Sequence, residues 1–149
     1  QEWSGGPITG DITGVEVYDT IFSVAESPLN AGEIWVGTDD GLVQLTRDGG
    51  TTWTNVTPAG LPEWTRISIV EASSHAKGTA YLAGNRYQLN DFAPYLYRTT
   101  DYGKTWTSLV TADLKGYAHV VRQDPVRPDL LFLGTELGLE PCPPATPYR

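Results

Sequence analysis

The chain contains the stretch Thr46-Arg47-Asp48-Gly49-Gly50-Thr51-Thr52-Trp53 and, further on, a second copy, Thr99-Thr100-Asp101-Tyr102-Gly103-Lys104-Thr105-Trp106. Thr, Asp, Gly, Thr and Trp stand at the same offsets in both copies. An aspartate in such a stretch can accept hydrogen bonds from the backbone N–H groups that follow it, and glycine supplies the positive φ of a tight turn. The Thr and Trp that follow favour a strand. Each copy is therefore predicted to form a hairpin between two strands.

Composition points to an all-β protein. The 149 residues include 16 Gly, 11 Pro, 5 Trp and 8 Tyr, which is typical of many short strands joined by turns. A net charge of −8 argues against a nucleic-acid partner, which would require a basic face. No apolar run reaches the roughly 18 residues of a membrane span. With neither an initiator Met nor a signal peptide, the chain is interpreted as a processed or excised piece.

The two stretches belong to a longer repeat that can be aligned along the chain. The first strands of the three units are predicted at Ile21–Ala25, Ile67–Glu71 and Ala118–Arg122. The second strands are predicted at Glu33–Gly37, Thr79–Ala83 and Leu130–Gly134. Third strands are expected at Leu42–Thr46 and Tyr95–Thr99, and fourth strands at Trp53–Val56 and Trp106–Leu109. Four short strands in each unit are typical of β-propeller blades.

The units differ after their second strands. The middle unit carries Gly84–Pro94 where the first has only Thr38–Gly41, and this insertion is predicted to be a loop on a binding face. The third unit ends in four prolines within residues 140–149, which disfavour a further hairpin. The predicted division is an N-terminal loop (1–19), blade 1 (20–62), blade 2 (63–115), partial blade 3 (116–140) and an irregular Pro-rich tail (141–149).

The repeated stretch resembles the Asp-box, or BNR repeat, of β-propellers. Over most of its length the chain is similar to bacterial sortilin-like or glycosyl-hydrolase-like Asp-box propellers, and the segments that show it are Ser4–Asp11, Gly37–Leu42 and Thr99–Trp106. The resemblance implies a large exported parent protein of which this chain is an interior fragment. It also implies structural roles at the periphery for Asp48, Gly50, Trp53, Asp101, Gly103 and Trp106.

Acidic residues after the second strands are the candidate functional residues. Asp39, Asp40 and Glu136 occupy equivalent loops, and Asp91 lies in the longer middle segment. If these loops share a face, their oxygens suit calcium as a cofactor. They could instead provide the two carboxyls about 5 to 10 Å apart that glycoside hydrolysis needs. The alternative without a functional role for these acids is a solvent-exposed acidic surface.

The chain has two histidines. His75 is expected at a solvent-exposed turn, whereas His119 lies in an innermost strand, where its side chain can point to the propeller axis. His119 is therefore grouped with Asp39, Asp40 and Glu136 as a candidate catalytic residue. No sequence motif indicates a serine or cysteine nucleophile, and no His or Cys spacing indicates zinc.

Three functions from different classes remain open. The first is a hydrolase-like or glycan-binding propeller fragment, as the resemblance implies. The second is a calcium-dependent hydrolase of small esters or lactones with an axial metal. The third is a structural or interaction module without chemistry. Because two and a half blades leave apolar faces and the edge Leu130–Gly134 bare, the chain is also predicted to associate with itself, with Val15–Tyr18 as a candidate completing strand.

Overall fold

The structure is a computed structural model that describes residues 20–142. This part of the chain consists of eleven strands and one short 3-10 turn. The strands are β1 (Ile21–Glu26), β2 (Ile34–Thr38), β3 (Val43–Thr46), β4 (Thr54–Asn55), β5 (Arg66–Ala72), β6 (Ala80–Arg86), β7 (Asp91–Thr99), β8 (Thr107–Ser108), β9 (Ala118–Gln123), β10 (Leu131–Thr135) and β11 (Gly138–Cys142); the turn η1 is Tyr87–Leu89. No helix of residues 20–142 is long and apolar enough to cross a membrane.

Consecutive strands form three antiparallel sheets. The first contains β1 to β4, the second β5 to β8, and the third β9 to β11, each in simple up-and-down order. The predicted all-β class is confirmed. Observed strand bounds differ from the predicted ones by a residue or two in most cases, and the fourth strands are shorter because only two residues of each pair with the preceding strand.

The sheets pack face to face, and the second sheet is apolar on both faces. Leu82 points into a core shared with the first sheet, which includes Trp35 and Val43. Its neighbour Tyr81 points the other way, into a core shared with the third sheet that includes Leu131. Adjacent strand residues face opposite sides of a sheet, so β6 must be apolar at successive positions. Burial of each such side chain contributes roughly 1.5 to 3 kcal/mol.

The first strands of the three sheets lie side by side. β5 lies between β1 and β9. The backbone N–H of Val70 donates a 2.8 Å hydrogen bond to the hydroxyl of Ser23 in the neighbouring sheet, and Arg122 pairs with Glu71 across the next junction. β1, β5 and β9 therefore form the common inner edge of the three sheets, and residues at their starting ends come together.

The third sheet corrects one prediction. The segment Leu130–Gly134 was expected to be an unpaired edge, but β11 pairs with β10 along its whole length, with Pro141 opposite Phe132. β11 also extends two residues beyond the predicted blade boundary at residue 140. An edge strand uses only alternate N–H groups for pairing, so a proline is tolerated there. The candidate strand Val15–Tyr18 lies outside the described residues.

The structure of the middle insertion also differs from the prediction. Gly84–Pro94 was predicted to be a loop, but β6 continues to Arg86, the η1 turn follows, and β7 begins at Asp91. Asn90 closes the turn in the left-handed region with φ of 57°, which asparagine tolerates well. We call residues 85–94 the extended hairpin. It is longer than the corresponding connection of the first sheet, in which β2 ends at Thr38 and β3 begins at Val43.

Candidate ligand-binding site

The aspartates of the two repeated turns hold their own hairpins. Asp48 accepts hydrogen bonds from the Thr46 hydroxyl (2.8 Å), the Thr52 N–H (2.9 Å) and the Thr52 hydroxyl (2.7 Å). Asp101 repeats the pattern with Thr99 and Thr105 at 2.9, 2.9 and 2.7 Å. The Thr52 hydroxyl, followed by its N–H, lowers the pKa of Asp48 to about 2. These carboxylates thus serve the turns that join the third and fourth strands.

The two tryptophans of the repeated turns differ in environment. Trp106 donates from its indole Nε1 to the carbonyl oxygen of Val56 at 2.7 Å and meets Trp35 edge-on at 6.2 Å between ring centroids. Trp53 instead donates to Gly50 in its own turn and is 45% exposed. The difference follows from position, since Trp106 packs against the preceding sheet and Trp53 belongs to the first sheet.

The loops that carry the predicted acidic residues lie at the starting ends of the inner strands. Asp39 donates its backbone N–H to Thr20 and accepts the Thr20 N–H at its carboxylate, and Asp40 accepts from the Thr38 hydroxyl. In the third sheet, the N–H of Glu136 donates to the carbonyl of Tyr117. Asp39 and Glu136 are thus bonded to the residue that precedes the first strand of their own sheet. Asp40 is bonded to the end of the second strand of its own sheet.

Asp91 clamps the extended hairpin. Its carboxylate accepts hydrogen bonds from the Arg86 guanidinium and the Tyr95 hydroxyl, both at 2.7 Å. Burial alone would raise the pKa of Asp91, but its bonds to Tyr95, Ala93 and Arg86 outweigh burial and lower it. Among residues 20–142, no three His, Cys, Asp or Glu side chains form a group that could hold a metal ion. Calcium binding by Asp39, Asp40, Asp91 or Glu136 stays a prediction, which calorimetric titration with calcium would test.

The environment of His75 differs from the prediction. It was expected in solvent, but its Nε2 lies 2.8 Å from the carbonyl oxygen of Asp124, so the half-buried ring joins the second sheet to the third. His119, by contrast, is exposed in β9, and its ring meets Tyr117 edge-on at 4.8 Å. Of the two histidines, His119 is therefore the exposed one, and it contacts an aromatic ring.

A continuous series of aromatic side chains and one arginine crosses the ends of all three sheets. Arg66 lies over the ring of Phe22 at 4.7 Å and within 5.7 Å of the ring of Tyr87. Tyr87 stacks on Tyr117 at 5.0 Å with an interplanar angle of 23°. Tyr117 also contacts Phe92 and His119. We call this set the aromatic row: Phe22, Arg66, Tyr87, Phe92, Tyr117 and His119.

The row combines exposed apolar surface with polar groups. Phe22 and Phe92 are 50% and 54% exposed. Gln88 accepts a 2.6 Å hydrogen bond from Arg66, and Glu136 lies against Tyr117. Burial, followed by the charge of Glu136, raises the pKa of the Tyr117 phenol. Apolar rings with a few polar groups at their edges are the usual make-up of a small-molecule or saccharide site.

A groove continues from the row along the inner strands. It has a volume of about 560 Å³, and its lining includes Phe22 from the row together with Ser23, Ser68, Glu71 and Arg122. The groove thus places polar side chains of the inner strands beside Phe22 of the row.

The site only partly coincides with the residues predicted from sequence. His119 belongs to the row, Glu136 adjoins it, and Asp91 supports the hairpin that carries Tyr87 and Phe92. Asp39 and Asp40 instead bond to Thr20 and Thr38. Sequence reasoning missed Phe22, Arg66 and Tyr117, although alignment of the repeat places Arg66 and Tyr117 at the equivalent position before a first strand.

Comparisons with known proteins agree on the architecture. YCF48 from Cyanidioschyzon merolae superposes with a TM-score of 0.62 at 27% identity, covering 84% of this chain and 34% of that one. An ancestral GH74 enzyme superposes with a TM-score of 0.62 at 17% identity, covering 85% and 18% of the two chains. Both are β-propeller proteins. The sheets of this chain are propeller blades.

The sequence comparison is narrower. A protein of Neosartorya fischeri named "Probable oligoxyloglucan-reducing end-specific xyloglucanase" is 32% identical over 88 residues, which is 58% of this chain and 10% of that protein. No family model matches the chain. The chain thus spans about a tenth of the length of this curated relative and about a third or less of the solved propellers.

Proposed function

We propose that this chain is a sector of a glycoside-hydrolase-like propeller and that it binds a glycan on the aromatic row. The observation that carries the proposal is the stack of Tyr87 on Tyr117, extended by Phe92, His119, Arg66 and Phe22 over three blades. The local similarity to a protein named as a xyloglucanase supports it. The Asp-box family, export and a bacterial origin belong to the same proposal.

The chemistry of the row suits sugars. A pyranose ring presents C–H groups on its faces and hydroxyls at its edge, so it needs flat apolar surfaces bordered by hydrogen-bonding groups. The half-exposed rings of Phe22 and Phe92 supply such surfaces. Tyr87 and Tyr117 stack on each other and hold the row together, and Gln88, His119 and Glu136 supply polar edges. An arrangement that crosses several blades fits an elongated chain better than a compact molecule.

Hydrolysis by the complete protein is a further part of the proposal. Glu136 is the carboxylate that adjoins the row, and His119 is the exposed imidazole within it. Glycoside hydrolysis uses two carboxyls about 5 to 10 Å apart. We propose Glu136 as one of them; Asp39 and Asp40 are candidates for the second, and other blades could also supply it.

Calorimetric titration with xyloglucan oligosaccharides tests the binding. We expect the wild-type chain to bind, and Phe22→Ala and Phe92→Ala to weaken binding roughly fivefold each, because an aromatic contact contributes about 1 kcal/mol. Trp53→Ala is the matched control, since it removes an exposed aromatic side chain of a peripheral turn. Equal losses in all three variants, or no binding by the wild type, would count against a glycan site at the row.

A second candidate is an interaction module that associates with copies of itself, and exposure of the first blade favours it. Ile21 and Val24 are 59% and 63% exposed, whereas the equivalent Ile67 and Val70 are 0% and 2% exposed beneath the preceding sheet. In a propeller, an apolar blade face of this kind is covered by a neighbouring blade. YCF48, solved with a bound D1 peptide, is a fold-level precedent for protein binding.

Light scattering tests this association. We expect the wild type to exceed its 16.2 kDa monomer mass and Val24→Lys to be monomeric. A wild-type monomer at micromolar concentration would contradict self-association.

A further inference from the structure

Arg66 is the cation of the aromatic row, and the described residues give it no anionic partner. The salt bridges of residues 20–142 involve Arg86, Arg122 and Arg127. Arg66 instead lies over the ring of Phe22 and near the ring of Tyr87. Arg47 and Arg98 likewise have no ion pair among the described residues, and Arg66 differs from them in lying within the aromatic row.

The position of this guanidinium is fixed. Its Nη2 donates a 2.6 Å hydrogen bond to the amide oxygen of Gln88, and its Cζ lies 4.7 Å from the ring centroid of Phe22 and 5.7 Å from that of Tyr87. Its buried Nε has no hydrogen-bond partner among the described residues. Because Nε is buried, the donors left for a ligand are the N–H groups of Nη1 and the second N–H of Nη2.

We propose that Arg66 is a specificity-determining residue that binds a carboxylate on a bound glycan, so that the row prefers uronic-acid residues to neutral sugars. This inference rests on the proposed glycan binding. The planar guanidinium matches a carboxylate, and hydrogen bonds between charged groups are about twice as strong as neutral ones. Phe22, which is half exposed beside the guanidinium, provides apolar surface for the sugar ring that bears the carboxylate.

A matched pair of ligands isolates the charge. An oligogalacturonide and the same oligosaccharide with its carboxyls methyl-esterified share their rings and differ in the anion. The wild-type chain should bind the acid at least roughly tenfold more tightly by calorimetry, and the preference should shrink as salt screens a half-buried pair. In Arg66→Gln the preference should disappear, because the affinity for the acid should fall to that for the ester. Arg66→Lys should keep part of the preference, since it retains charge without the planar fork.

The outcomes separate this inference from the proposed function. Equal affinity of the wild type for acid and ester would overturn the role of Arg66, and so would a preference that survives in Arg66→Gln. Binding of neutral xyloglucan oligosaccharides without binding of the oligogalacturonide would overturn this inference and leave the glycan site standing. Should Arg66→Gln fail to fold, the wild-type comparison of acid with ester still decides.

Discussion

The indole nitrogen of Trp106 donates a 2.7 Å hydrogen bond to the backbone carbonyl of Val56, which lies in the preceding blade. The same side chain meets Trp35 of that blade edge-on. A residue of the repeated turn therefore connects one unit to the next. The equivalent Trp53 bonds within its own turn and is half exposed, so the two copies of one motif form a natural experiment.

Trp106→Phe is expected to destabilise the chain more than Trp53→Phe. The first change removes a hydrogen bond between blades, with a loss of about 1 to 2 kcal/mol in the free energy of unfolding. The second alters an exposed side chain, with a loss below about 0.5 kcal/mol. Urea denaturation of both variants measures the difference. Equal losses would mean that the contact between Trp106 and Val56 does not stabilise the packing of the blades.

The glycines of the repeated turns provide a second matched pair. Gly50 and Gly103 both have positive φ, 94° and 76°. A Cβ at Gly103 would lie 2.6 Å from the Cβ of Val56, whereas at Gly50 the nearest atom is 3.9 Å away in Trp53. Both alanine variants share the backbone penalty of roughly 1 to 2 kcal/mol. Gly103→Ala should lose about 1 to 3 kcal/mol more, because it forces the blades apart. Thermal or urea unfolding that ranks Gly50→Ala as the worse variant would contradict this packing.

Stability should depend on acid pH through the repeated turns. The pKa of Asp48 falls from 3.8 to about 2 in the folded chain, and that of Asp101 is also lowered. A depressed folded-state pKa means that the ionised turn stabilises the fold fully above about pH 4, and that this contribution is lost as the pH falls toward 2. Asp48→Asn should flatten the curve of unfolding free energy against pH in that window.

Thr52→Val is the complementary variant for the acid dependence. It removes the hydroxyl that contributes most to the low pKa of Asp48 and leaves the carboxylate in place. It should weaken the acid dependence without abolishing it. A pH profile that is unchanged in both Asp48→Asn and Thr52→Val would rule out the turn as its source.

Asp91→Ala is expected to loosen the extended hairpin. The variant removes an ion pair and a hydrogen bond of half-buried groups, with an expected loss of about 1 to 2 kcal/mol. Hydrogen exchange of amides in residues 85–94 should quicken, and glycan affinity should fall because Tyr87 and Phe92 lose their support. Tyr95→Phe, which keeps the ion pair, should show a smaller change. Unaltered exchange in Asp91→Ala would show that the clamp does not hold the hairpin.

The repeat was sufficient to predict ten of the eleven strands of residues 20–142, and the turn signals of Asp48 and Asp101 fix where the outer hairpins fold. It misjudged β11, since the prolines after Glu140 suggested an interruption that an edge strand can accommodate. The aromatic row could not be predicted from the sequence for a different reason. Phe22, Arg66 and Tyr117 are distant in sequence and meet only because three inner strands lie side by side. The Gly84–Pro94 insertion was visible in the sequence and was predicted to lie on a binding face. It contains Tyr87 and Phe92 of the row.

An NMR titration of the isotope-labelled chain with a xyloglucan oligosaccharide tests the glycan site most directly, since it reports where a ligand binds as well as whether it binds. We predict that shift changes concentrate at Arg66, in residues 87–92 and at Tyr117 and His119, while the repeated turns around Asp48 and Asp101 stay unchanged. Shift changes centred on those turns, or none at saturating ligand, would contradict the proposal that the aromatic row is the functional site.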